Sequence, residues 1–232
     1  MKTIGLIGGM SWESTVLYYG QINAAVKERL GGLHSAKIVL YSVDFHDIER
    51  LQHVGDWDAA GAVLADAART LESAGCDFLV LCTNTMHKVA QDIERAVRIP
   101  LLHIADPTAA EIKRAGIQTV GLLGTRFTME QDFYRERLQA LHGLAVVVPE
   151  SEDREIVHRV IYEELCLGKV LPDSRTEYRR IMSGLVERGA EGIILGCTEI
   201  TLLVDQSDSS VRLFDTTSIH ARSAAEKAIE DP

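Results

Sequence analysis

No stretch of this chain approaches the roughly 18 consecutive apolar residues that cross a bilayer, so a membrane is not an expected partner. A secretory leader is not expected either. Met1-Lys2-Thr3 runs straight into Ile4-Gly5-Leu6-Ile7, with no long apolar core ahead of a small-residue cleavage site. Blocks of Lys or Arg are missing. With 24 basic residues against 34 acidic ones the formal charge is −10, which argues against nucleic acid and acidic lipid surfaces. An anionic substrate must therefore be met by a local positive field set against the net charge. The four cysteines, Cys76, Cys82, Cys166 and Cys197, make no C-x-x-C pair, and a reducing cytoplasm fits them best. The eight histidines show no H-x-x-x-H or H-E-x-x-H spacing, so no metal site is expected. No proline- or serine-rich linker divides the chain.

What is present is an ordinary globular composition, 46% hydrophobic and 25% charged over 232 residues. That length suits one large domain or two of about 100 to 120 residues. Two stretches repeat. Thr3-Ile4-Gly5-Leu6-Ile7-Gly8 resembles Thr119-Val120-Gly121-Leu122-Leu123-Gly124 at an offset of 116. Phe78-Leu79-Val80-Leu81 before Cys82-Thr83-Asn84-Thr85 resembles Gly192-Ile193-Ile194-Leu195 before Gly196-Cys197-Thr198-Glu199, at an offset of 114. Two separate stretches with nearly one offset indicate an internal duplication. Aligning Leu81 with Leu195 sets Thr83 against Cys197 and Asn84 against Thr198.

Strand and helix patterns alternate along the chain, which predicts parallel sheets covered by helices. Strands are expected at 2–7, 37–43, 78–81, 99–104, 118–123, 144–148, 192–195 and 211–214. Helices are expected at 12–30, 57–73, 86–97, from 128 to about 141, at 152–165, 176–188 and 216–229, with a short one near Ile48, Leu51 and Gln52. The domain boundary is set near 105. The last strand and helix are expected to return to the first domain, giving 1–104 with 208–232 and 105–207. The fold class is thus α/β, two similar Rossmann- or flavodoxin-like domains.

Every chemically interesting group follows a strand: Gly8-Gly9, Thr83-Asn84-Thr85, Thr125, and Cys197-Thr198-Glu199. Ligands of open α/β sheets bind outside the carboxyl ends of the strands. Two similar domains with those ends facing each other would enclose a small cleft. Cys197 sits on a polar turn after a strand rather than inside an apolar run, which points to chemistry, and a helix beginning near Thr198 would lower its pKa. Cys82 lies one residue before the matching position, so its side chain is expected to face the interior. Gly5-Leu6-Ile7-Gly8-Gly9 is neither G-x-G-x-x-G nor a P-loop. It is either a tight strand-to-helix turn or a place where helix N-terminal amides hold a small carboxylate. Lys169 reads as a loop lysine, and His46, His87 and His220 as satisfied polar groups. Glu199 can orient its neighbours, bind an ammonium group or cap a helix.

Taken together, Gly8-Gly9-Met10-Ser11-Trp12-Glu13-Ser14-Thr15, Asn84-Thr85 with His87, and Gly196-Cys197-Thr198-Glu199 resemble the aspartate/glutamate racemase family, whose members work without pyridoxal phosphate. Tyr41-Ser42-Val43-Asp44-Phe45 and Asp215-Thr216-Thr217 add to the likeness, which spans the chain. The resemblance implies two similar domains with the active site between them, commonly as a homodimer, acting on a free amino acid with no cofactor. It implies two thiols on opposite faces of the α-carbon, one removing a proton and the other returning one. Charge developing on the substrate carboxylate needs donors. Gly9, Met10, Asn84, Thr85, Thr125, Thr198 and Glu199 are the candidate contacts, with Lys169 and Gln52 toward the side-chain carboxylate.

The chain departs from the family at the first turn, where Thr83-Asn84-Thr85 replaces Cys-Asn-Thr. A hydroxyl can donate a proton, directly or through water, but it is a poor base. The expectation is an asymmetric racemase in which Cys197 is the base, Thr83 the opposite-face donor, and L-aspartate or L-glutamate the favoured substrate. A single thiol also fits decarboxylation of a malonate-like acid, as in arylmalonate decarboxylases, which look similar. A non-catalytic small-acid binding protein is the third reading.

Overall fold

The computed structural model describes residues 1–230. The chain divides into two compact units, Met1–Ile104 with His220–Pro232, and Ala105–Ile219.

Unit 1 begins with β1 (Thr3–Gly8), α1 (Trp12–Leu30), β2 (Lys37–Ser42), α2 (Phe45–Val54) and α3 (Trp57–Ser73). It continues with β3 (Phe78–Leu81), a 3₁₀ turn at Thr85–Val89, α4 (Ala90–Ala96) and β4 (Leu101–Leu102). Its four strands are parallel in the order β2-β1-β3-β4. Unit 2 carries α5 (Ala105–Arg114), β5 (Thr119–Gly124), α6 (Arg126–Glu130), α7 (Asp132–His142), β6 (Ala145–Val147) and α8 (Ser151–Glu163). Then come α9 (Pro172–Glu187), β7 (Gly192–Gly196), α10 (Ile200–Leu203) and β8 (Arg212–Asp215). Its sheet is parallel in the order β6-β5-β7-β8. The closing helix, α11 (Thr216–Ile229), starts in unit 2 and belongs to unit 1 from His220 onward.

The two sheets have one topology. In each, the first strand lies between the second and the third, so the connection reverses direction beside that strand. Their registers also agree. Ile7 pairs with Leu81 in the first sheet and Leu123 with Leu195 in the second. These are the residues matched by the offsets of 116 and 114, so the repeat in the sequence is a repeat in space. β3 and β7 are buried at every residue. Their continuous apolar runs suit central strands covered on both faces. The core of unit 1 forms on both sides of its sheet, around Ile7, Leu79 and Leu81 with α3, and around Ile4, Leu6, Phe78 and Val80 with α1 and α11.

Four features differ from the sequence reading. β8 does not return to the first unit. It pairs with β7, which otherwise would leave an apolar strand with a bare edge, and Phe214 is buried there. The helix expected over 86–97 opens as a 3₁₀ turn and becomes α-helical only at Ala90. The helix expected to run unbroken to about 141 is interrupted at Gln131, which is extended, and Asp132 begins a new first turn. Finally, α5 is an unforeseen helix. Ala105, Thr108, Ala109 and Ile112 are its buried face, at ordinary helical spacing.

Candidate active site

The central strand pair of each unit delivers its loops to the switch point of its sheet, where such folds bind ligands. In unit 1, β1 leads into Gly9 and Met10, and β3 into Thr83, Asn84 and Thr85. In unit 2, β5 leads into Thr125, and β7 into Cys197, Thr198 and Glu199. The expected site residues therefore fall into two sets. Gly9, Met10, Gln52, Thr83, Asn84 and Thr85 lie in unit 1, and Thr125, Lys169, Cys197, Thr198 and Glu199 in unit 2.

The unit 2 set is built on Gly196. A Cβ there would lie 2.8 Å from the Leu123 carbonyl oxygen, so glycine lets the chain cross β5 closely as it turns. The Cys197 side chain is partly buried, and its Sγ donates to Glu199 Oε2 at 2.9 Å. Thr198 Oγ1 donates to the same oxygen at 2.6 Å. One buried carboxylate thus gathers a thiol and a hydroxyl. Burial pushes the Cys197 thiol well above its ordinary range, and the Glu199 charge adds to that. This corrects the expectation of a lowered pKa. The helix after the turn is a single turn starting at Ile200, and the carboxylate beside the sulfur outweighs it. At rest Cys197 is a thiol. Glu199 makes no side-chain cap to α10, and its Oε2 instead accepts from the Cys197 thiol and the Thr198 hydroxyl. Thr125 caps α6, its Oγ1 accepting from the Thr128 amide at 3.4 Å. Lys169 is exposed, just after the left-handed Gly168.

In unit 1 the Thr83 residue is partly buried, while Asn84 and Thr85 are buried. The Thr83 amide donates to the Leu81 carbonyl at 2.9 Å. Cys82 is fully buried among Ile4, Leu6, Phe78 and Val80, and burial raises its thiol pKa strongly. Gln52 is buried, with Nε2 2.9 Å from Met86 Sδ. Met10 packs into the core cluster that includes Ile7 and Met86.

Gly9 makes a tight turn. Its φ is +94°, and a Cβ would come within 2.2 Å of the Val43 carbonyl oxygen. Its amide does not point to an open anion site: it donates to Thr15 Oγ1 at 2.8 Å. Among the described residues, no group of three or more His, Cys, Asp or Glu side chains is placed to hold a metal ion. None of the described helices is long and apolar enough to cross a membrane.

A feature the sequence left as a satisfied polar group is His87. Its Nδ1 donates to the Thr83 carbonyl at 2.8 Å, and its Nε2 accepts the Ile104 amide at 3.1 Å. The signal was a spacing of four from Thr83, within reach of a side chain folding back on its own turn.

The family model for Asp/Glu/hydantoin racemases matches residues 7–224. This chain belongs to that family. Membership places it among isomerases. Over 99% of its length it is 61% identical to a candidate Asp/Glu racemase from Yersinia pestis, all of whose chain is covered, with a TM-score of 0.94. An aspartate racemase homologue from Pyrococcus horikoshii is 39% identical over 99% of this chain and 100% of its own, with a TM-score of 0.86. A broad specificity amino-acid racemase of Bacillus subtilis is 24% identical over 95% of both chains. The two-domain α/β fold of the racemases is the fold described above.

Proposed function

We propose that this racemase interconverts the enantiomers of an acidic amino acid, L-aspartate or L-glutamate, without a cofactor and with preference for the L-form. Cys197 is the base and Thr83 the opposite-face proton donor. The observation that carries the reading is the matched register: Ile7 with Leu81, and Leu123 with Leu195, bring two equivalent turns to equivalent places, one ending in a hydroxyl and the other in a thiol. A pair of groups of this kind suits removal of a proton from one face and delivery to the other.

The resting thiol adds a step. Cys197 must first lose its proton, and the acceptor it already touches is Glu199 Oε2. The S–H bond breaks, an O–H bond forms, and the thiolate then takes the α-proton of the L-substrate. The new carbanion takes a proton from Thr83 Oγ1, directly or through water. The alkoxide or hydroxide left behind is reprotonated through solvent by the proton that Glu199 Oε2 took from Cys197. Cys197 thus ends as a thiol carrying the substrate proton and Glu199 as a carboxylate. Backbone donors with Asn84, Thr85, Thr125 and Thr198 meet the substrate carboxylate, where charge develops. Lys169 and Gln52 meet the side-chain carboxylate. The two sets of residues must engage one substrate for this to work. A hydroxyl is far too weak an acid to leave a useful base, so D-substrates are handled poorly.

The same reading takes the enzyme to be a cytoplasmic homodimer. Trp12, Val16 and Tyr19 are exposed at helical spacing on α1, an apolar stripe that suits a second copy.

The test is proton NMR in D₂O, following the α-proton of L- and D-aspartate and L- and D-glutamate with no added cofactor. Loss from the L-forms, with D-product appearing and Cys197→Ala silent, is the expected result. No exchange from any of the four refutes it.

A further inference from the structure

Unit 1 holds three buried histidines, His87, His103 and His220. The His87 ring centre lies 4.4 Å from that of His103 and 6.1 Å from that of His220. The proton positions follow from their partners. A carbonyl only accepts, so His87 carries its proton on Nδ1, facing the Thr83 oxygen at 2.8 Å. A backbone N–H only donates, so Nε2 offers its lone pair to Ile104 at 3.1 Å. His87 is therefore neutral and fixed in one tautomer. His220 is held the same way, by the Leu102 carbonyl at 2.8 Å and the Tyr18 hydroxyl at 2.9 Å. Both nitrogens of each ring are in use.

This matters for Thr83. Its amide is bound to Leu81 and its carbonyl to His87, so both of its backbone groups are tied. Threonine is branched at Cβ, which restricts its χ1 once the backbone is set. Holding the carbonyl therefore narrows where the hydroxyl can lie. We infer that His87 is a positioning residue for Thr83, holding the Thr83 carbonyl through Nδ1–H and thereby the hydroxyl that returns a proton to the substrate. The inference rests on the proposed function, in which Thr83 is that donor. His87 itself acts only through Thr83.

Two substitutions separate the two bonds of the ring. In His87→Asn the amide nitrogen falls near the position of Nδ1, which keeps the donor to Thr83 and loses the acceptor for Ile104. In His87→Gln the amide oxygen falls near Nε2, which does the reverse. Each enzyme is given L-aspartate or L-glutamate in D₂O, and two rates are followed together: loss of the α-proton, which reports Cys197, and appearance of the D-form, which reports Thr83. In His87→Gln the amount of D-form per α-proton lost should fall about tenfold or more, because small misplacements of a reacting group cost that much, while α-proton loss and KM stay close to wild type. In His87→Asn the ratio should stay near wild type. Equal falls in both variants, or an unchanged ratio in His87→Gln, overturns the inference and leaves the racemase reading standing. A wild-type enzyme that exchanges no α-proton overturns both. If the His87 variants do not fold, Thr83→Ser decides. It keeps the hydroxyl but removes the branch that ties it to the backbone, so the ratio should fall, and an unchanged ratio overturns the inference.

Discussion

The contact between Cys197 and Glu199 adds to burial in holding the thiol protonated, and Glu199→Gln tests that share. In the wild type the carboxylate accepts a hydrogen bond from the thiol at 2.9 Å, and a thiolate formed by losing its proton to solvent would face the carboxylate charge at the same distance. Two unit charges that close repel by about 5–6 kcal/mol at an effective dielectric near 20. The side chains can swing apart, and burial of the sulfur, the larger cause of the raised pKa, survives the substitution. Only a fraction of that repulsion is therefore released. A release of about 1.4 kcal/mol already multiplies the thiolate population by about ten. The assay is the rate of alkylation by iodoacetamide at pH 7, with Cys197→Ala subtracted to remove the contributions of Cys76, Cys82 and Cys166. The rate at Cys197 should rise about tenfold, and the alkaline limb of its pH profile should move to lower pH. The sign follows from the direction of the shift. A carboxylate beside a thiol favours the protonated form, so removing its charge favours the thiolate. An unchanged or slower rate would mean that the Glu199 charge does not favour the protonated thiol in the resting enzyme, and its share in the raised pKa would fall.

Gly9→Ala must place a side chain at φ +94° and against the Val43 carbonyl. A cost of about 2–4 kcal/mol is expected, lowering Tm by about 5–12 °C in a thermal melt, and an unchanged Tm would mean the turn is not confined as described. Thr83→Cys supplies the base that D-substrates lack, so turnover of D-aspartate or D-glutamate should rise by roughly 10²-fold, and continued inertness toward them refutes the account of the asymmetry. Asp208 is held at a pKa of about 2 by Arg175, with further help from the Asp205 amide and Arg179. Its folded pKa lies below the unfolded value of about 3.9, so its contribution is complete above about pH 4 and is lost as the pH falls through about 2. Asp208→Asn should cost about 1–2 kcal/mol in a denaturant titration at pH 7, discounted for the exposure of both arginines, and much less at pH 2.

How much of this was legible in the sequence follows from where each signal is carried. The duplication was legible because a buried parallel strand must be apolar on both faces and the turn after it must be polar, so both halves kept one pattern. Agreement between two offsets then fixed the register later seen in the sheets. Cys82 could be assigned to the interior because side chains alternate along an extended segment, and Thr83 followed as the residue facing the other way. The errors arise where the outcome depends on a partner far along the chain. β8 looks like any late strand, and nothing local says that β7 needs it as an edge. The pKa of Cys197 was misjudged because a helix N-terminus is visible as a pattern, whereas the direction in which the Glu199 side chain folds back is not. Gly9 was ambiguous for the same reason. Its amide belongs to Thr15, and that bond exists only once α1 has docked against the turn. His87 lies between these cases. Its bond to Thr83 is local and could be anticipated from a spacing of four, while its bond to Ile104 spans 17 residues and is set by the way β4 ends beside β3. A histidine that joins a local turn to a distant strand end is thus only half visible as a pattern. The pattern supplies the first bond, and packing supplies the second.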